Sequence, residues 1–144
     1  MSNDKISVHD NQIVSYEVFC EAREVVFKTK SPSEPPENIN VCFTGVAAYS
    51  FCDDGEWGTV IFDIGEGPPM ELYDRLEKKF VEGVPYGWPG KWAKTRETAE
   101  QFFRETGTRA WHLSSSLGMC GWVLARAMDI IVVEDMLPRK YQDS

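Results

Sequence analysis

The chain has 144 residues and a mass of 16.4 kDa, with 42% hydrophobic residues and 23 acidic against 15 basic side chains, net −8. That length fits one domain, residues 1–144, which needs no disulfide or metal to fold, and the apolar fraction is too high for a disordered chain. A pI near 4.8 with no basic stripe leaves nothing to neutralise phosphates, so nucleic acid is excluded as a partner.

Residues 13–20 alternate so that Val14, Tyr16, Val18 and Cys20 share one face, which predicts a half-buried strand. Glu21-Ala22-Arg23 turns the chain into a second run at Val25–Thr29, and the two read as a hairpin. Three prolines within Ser31–Glu37 predict an exposed, extended loop. Ile39, Val41 and Phe43 resume a strand, with Gly45 as a bulge before Val46–Ser50. Asp53–Gly58 is a turn by composition, and Thr59–Ile64, apolar on both faces, is a central strand.

After Pro68-Pro69 the period changes to helical. Leu72, Leu76 and Phe80 share a stripe that predicts a helix over 69–82, ended by Gly83 and Pro85. A second helix over 96–106 starts at Thr95 as N-cap and stops at Gly107. Strands return at Ala110–Leu113 and Trp122–Arg126 around a turn at Leu117-Gly118-Met119. A bend near Asp129 then precedes a last run, Ile130–Val133. Four strands, two helices and two or three more strands do not alternate as a doubly wound fold does. The expected class is α+β, a mainly antiparallel sheet of five to seven strands with two helices packed on one face.

Charge is the most informative functional signal. No Lys or Arg occurs between Lys30 and Arg75, a stretch holding nine acids. Residues 1–66 carry 12 acids and 4 bases, and residues 67–144 carry 11 of each, so the whole net charge lies in the first half. A one-sided field of this kind favours a basic partner. The candidate contact residues are Glu34, Glu37, Asp53, Asp54, Glu56, Asp63 and Glu66, with Trp57 as an apolar anchor inside a charged rim.

No catalytic set stands out. His112 and Ser114 would share a strand face about 7 Å apart, but there is no Gly-x-Ser-x-Gly elbow. Asp63 and Glu66 read as strand-end carboxylates rather than as an acid–base pair. The Asp53-Asp54-Gly55-Glu56 cluster lacks the alternating ligands of a calcium loop. Cys20, Cys42, Cys52 and Cys120 form no C-x-x-C pair and no spacing with His9 or His112 that suits zinc. No metal and no cofactor are therefore expected, and the thiols are expected to be reduced. Tyr86-Gly87-Trp88-Pro89-Gly90-Lys91-Trp92 is expected to fold its aromatics back over the helix pair. Met1–Lys5 has no apolar run behind it and no stretch reaches the roughly 20 apolar residues that span a bilayer, so a cytoplasmic address and no membrane partner are expected.

Gly45–Tyr49, Ile61–Ile64, Tyr86–Gly90 and Ser114–Ala125, in that order, resemble a family of small, uncharacterised single-domain proteins over most of residues 10–128. That resemblance implies one domain and no particular activity. In overall type the chain is similar to bacterial immunity proteins, which are small, acidic and without a catalytic constellation. The reading that follows is a non-catalytic immunity or antitoxin-type protein that neutralises a basic toxin such as a nuclease. The alternative is a small hydrolase or ligand-binding enzyme using the 111–122 hairpin.

Overall fold

The computed structural model describes residues 8–52 and 59–133. Five strands come first: β1 (Gln12–Phe19), β2 (Glu24–Lys30), β3 (Asn38–Thr44), β4 (Ala48–Cys52) and β5 (Thr59–Gly67). Helices α1 (Pro69–Gly83) and α2 (Arg96–Thr106) follow, then β6 (Arg109–Leu117), β7 (Cys120–Ala125) and β8 (Ala127–Val133). The class is the expected α+β, with every strand pair antiparallel.

The sheet has eight strands among the described residues, in the order β4-β7-β6-β5-β1-β2-β3-β8, rather than five to seven. The excess has a physical cause. β3 runs on into β4 through a bend at Gly45, whose φ of 63° suits glycine, and β7 runs on into β8 through Arg126. Two long bent strands thus count as four. The second bend falls at Arg126 and not near Asp129, because the two bends face each other: a Cβ on Gly45 would lie 2.7 Å from the Arg126 side chain.

These bends also bring the ends of the sheet together. β3 pairs with β8 and β4 with β7. Between the two ladders, Arg126 N–H donates to the Thr44 carbonyl (2.9 Å) and Ala47 N–H to the Leu124 carbonyl (2.7 Å). The sheet curls into a barrel of six long strands, and side chains from distant positions in the order meet inside it. Phe51 of β4 packs 5.1 Å from the Phe27 ring of β2 and 5.7 Å from the Tyr16 ring of β1. Val25, Val41, Phe43, Ile61, Trp111 and Val123 complete this interior.

Among the described residues, β1 and β5 pair at Gln12↔Val60 and Ile13↔Thr59, extended by bonds between Ile61 and Asp10 and Asn11. A register shift between Ile13 and Ser15 breaks the alternation expected for β1, leaving Val14 60% exposed.

Outside the barrel, α1 and α2 cover β4, β7 and β6. Leu72, Tyr73, Phe80, Ala99 and Phe103 pack with Ala48, Ala110, Trp122 and Leu124 of the sheet. Pro69 opens α1, whose φ it suits, and the Thr95 hydroxyl caps α2 by accepting from Thr98 N–H. In the connection between the helices, Trp88 and Trp92 fold back over the layer as expected, with Trp92 stacked 5.1 Å from Phe102. Tyr86 does not, and stands 90% exposed.

Candidate partner interface

Asp53, Asp54, Glu56 and Trp57 lie outside the described residues. Their described neighbours are both held at the β6–β7 turn. Cys52 faces Cys120 across the ladder with the sulfurs 4.0 Å apart, and Met119 N–H donates to the Thr59 hydroxyl (2.9 Å). Glu34 and Glu37 are exposed in a loop that closes on itself. Ser31 N–H donates to the Glu37 carbonyl, Glu37 N–H to the Ser31 hydroxyl, and Ser33 to the Pro35 carbonyl.

Strand direction decides how these acids are arranged. β2 and β5 both run antiparallel to β1, so they run parallel to each other, with Lys30, Gln12 and Val60 in one transverse row. Lys30 and Val60 are two strand spacings apart, about 10 Å. The chain leaving Lys30 heads the way β5 runs, toward Asp63. Thr59, which follows the predicted acidic turn, lies on the other side of that row. Asp63 is exposed and pairs with Ser114.

Glu66 is a different case. It lies three residues beyond Asp63, about 10 Å further along the strand, opposite the inward-facing Trp111. Its carboxylate is ion-paired with Arg109. The expected cluster of loop, turn and strand exit is therefore divided: Glu66 stands apart because the β5–β6 ladder carries it to the far rim and supplies a cation.

The outer face of β5 and β6 gathers groups that charge counting overlooks. Asp63 and Ser114 are register partners, and His112, opposite Gly65, lies two residues along on the same face. The imidazole reaches Gly67, whose added Cβ would be 4.0 Å from Nε2. Burial pushes the His112 pKa down, and Arg75 of α1 pushes the same way against Glu71. His112 is thus neutral at neutral pH. No hydrogen bond joins it to Ser114 among the described residues. Elsewhere, burial and then Asp129 and Glu24 push the Cys42 thiol up, which keeps it protonated and a poor nucleophile. Among the described residues no group of three or more His, Cys, Asp or Glu is placed to hold a metal ion.

The sign of the His112 shift sets a pH dependence. A depressed histidine binds its proton more weakly in the folded chain, so its contribution is whole above the unfolded value. That contribution is lost as pH falls from there through the folded value. The His112→Gln variant is expected to lose less thermal stability than the parent between pH 7.5 and 5, as read by melting curves at both pH values.

The β1 bulge opens a cavity that periodicity concealed. It has a volume of about 180 Å³ and is lined by Ile13, Val14, Ser15, Tyr16, Thr59 and Met119. A more open groove of about 390 Å³ lies at the rim, between Glu66–Pro69 and Arg109. Neither is lined by His112 or Ser114. No helix among the described residues is long and apolar enough to cross a membrane. No family model, no curated protein and no solved structure matches the chain.

Proposed function

We propose that the chain is a non-catalytic, acidic binding protein of the immunity or antitoxin type, which neutralises a basic toxin such as a nuclease. One observation carries this reading. Glu34, Glu37 and Asp63 are exposed and enter no ion pair among the described residues, whereas Glu66 and Asp74, at the end of the base-free stretch, are each held by an arginine, Arg109 and Arg96. Within residues 31–70 the described charges are all acidic, and of them only Glu66 is matched by a base among the described residues. A partner with cationic active-site residues would be drawn to the unmatched acids, and unlike partners repelled.

Co-expression with a panel of basic nuclease toxin domains tests the reading, with growth rescue and nuclease inhibition as readouts. One member is expected to be inhibited, with association slowing about tenfold from low to physiological salt. Replacing Glu34, Glu37 and Asp63 by Ser should slow association while shifting stability by no more than about 0.5 kcal/mol. Inhibition indifferent both to salt and to the triple substitution would overturn the reading.

The second reading, a small hydrolase using the Trp111–Trp122 hairpin, is favoured by the Asp63–Ser114 pair with a neutral His112 on the same face. Turnover of a chromogenic ester, abolished by Ser114→Ala and by His112→Gln, would put it first.

A further inference from the structure

We propose that Cys52 and Cys120 are a reversible thiol–disulfide site, closed into an intramolecular bond by exchange with a low-molecular-weight disulfide of the glutathione type. The site goes beyond the partner reading above and stands independently of it.

The β4–β7 ladder carries the inference. Cys52 and Cys120 are register partners, at the opposite end of the ladder from Ala48↔Leu124. Register partners in an antiparallel pair have Cα atoms about 4.5–5.5 Å apart, inside the roughly 4.4–6.8 Å that disulfides span. The two side chains leave the same face of the sheet, and their sulfurs already lie 4.0 Å apart. Closing that gap to the ~2.0 Å of a bond takes rotation about side-chain torsions and no parting or sliding of the strands. Both residues are exposed, so a small oxidant in solution reaches them.

The other two cysteines are placed differently. Cys42 is half-buried in β3, where its register partners are Val26 and Asp129. Cys20 is exposed in the turn between β1 and β2. Neither faces a thiol across a ladder.

The exchange balances in two steps. The thiolate of one cysteine attacks a sulfur of the small disulfide, forming a mixed disulfide and expelling one thiolate. The second cysteine, as thiolate, then attacks the protein-side sulfur and expels the other half. Two protein thiols are oxidised and one small disulfide is reduced to two thiols. The two protons shed by the cysteines go through solvent to the departing thiolates. Exposed disulfides are the readily reduced ones, so the bond reopens when the thiol pool is reducing.

Closure has a mechanical consequence. β4 stands at one end of the strand order with β7 beside it. The bond clips the last residue of β4 to that neighbour and links positions 68 residues apart in sequence, which restricts the unfolded chain.

Oxidised glutathione, incubated with the full chain, is the probe. The product is expected to be a monomer lighter by two hydrogens, with peptide mapping that joins Cys52 to Cys120 and full reversal by dithiothreitol. Its melting temperature should lie about 10 °C above that of the reduced chain. Closure should be about tenfold faster in the folded chain than in guanidinium, because folding holds the thiols together. The double variant Cys20→Ser, Cys42→Ser should close as the parent does. Cys120→Ser should instead stop with one glutathione on Cys52. A parent chain that keeps glutathione on either residue, or stays reduced, would overturn the inference. So would a link through Cys20 or Cys42, a link between two chains, or closure no faster when folded. A bond that forms but lowers the melting temperature would also overturn it, since the ladder would then have to distort to close.

Discussion

Replacing Phe80 by alanine is expected to lower the unfolding free energy by about 3–5 kcal/mol. Phe80 is fully buried, and its ring contacts Tyr73 (5.8 Å), Trp88 (5.3 Å), Trp92 (6.0 Å) and Trp122 (5.7 Å). Those partners come from α1, from the connection between the helices and from β7, so one side chain ties the helix layer to the barrel. The cavity left behind cannot collapse easily, because the surrounding aromatics are rigid and hold one another. In a chain of this length the loss corresponds to a melting temperature about 10 °C lower. Tryptophan emission should shift to the red, as three of the neighbours are indoles. Phe80→Leu, which keeps most of the volume, should lose much less. A loss under about 1.5 kcal/mol for the alanine variant would contradict the packing of this layer.

Gly121→Ala should be nearly as severe, for the opposite reason. Here the added methyl has nowhere to go: a Cβ at 121 would lie 2.0 Å from the Ser50 carbonyl oxygen and 3.0 Å from the Phe51 Cα. Both obstacles are main chain of β4, where Phe51 pairs with Gly121. The strands must part or slip to admit the group, at a cost of about 3 kcal/mol. Gly65→Ala is the control, because nothing lies within 4 Å of its added Cβ and it too is within a strand. That variant should stay within about 0.5 kcal/mol of the parent. Chemical denaturation of the pair decides the matter, and equal stability would refute the register assigned to β4 and β7.

Local signals marked the helices well. Pro69, Thr95 and Gly107 act within a turn of where they stand, and the spans expected at 69–82 and 96–106 are found at Pro69–Gly83 and Arg96–Thr106. Closure of the sheet was not legible. Gly45 reads as a bulge from sequence, but that it sits against Arg126 depends on pairing between segments far apart in the chain. The bulge at Val14 was hidden for a related reason. Val14, Tyr16 and Val18 alternate cleanly, and only the register of β1 against β2 shows that the pattern is broken there.

The candidate interface divides in the same way. The absence of Lys and Arg from 31–74 is a property of the sequence and could be counted. That Glu66 meets Arg109 while Glu34 and Glu37 meet no base among the described residues follows from strand order and direction, to which composition is blind.

The ladder between β3 and β8 joins Asn38 to Val133, positions far apart in the described chain. During synthesis, β1, β2 and β3 emerge as a meander that can pair locally at once. The outer edge of β3 must then wait until the other described strands have been made. Pairings so distant along the chain are slow, since a long loop has to close before any bond rewards it. A nascent or truncated chain ending before Ala127 would hold Val41 and Phe43 on an uncovered strand, open to neighbours of its own kind. The last of the described strands is the one that shields the third.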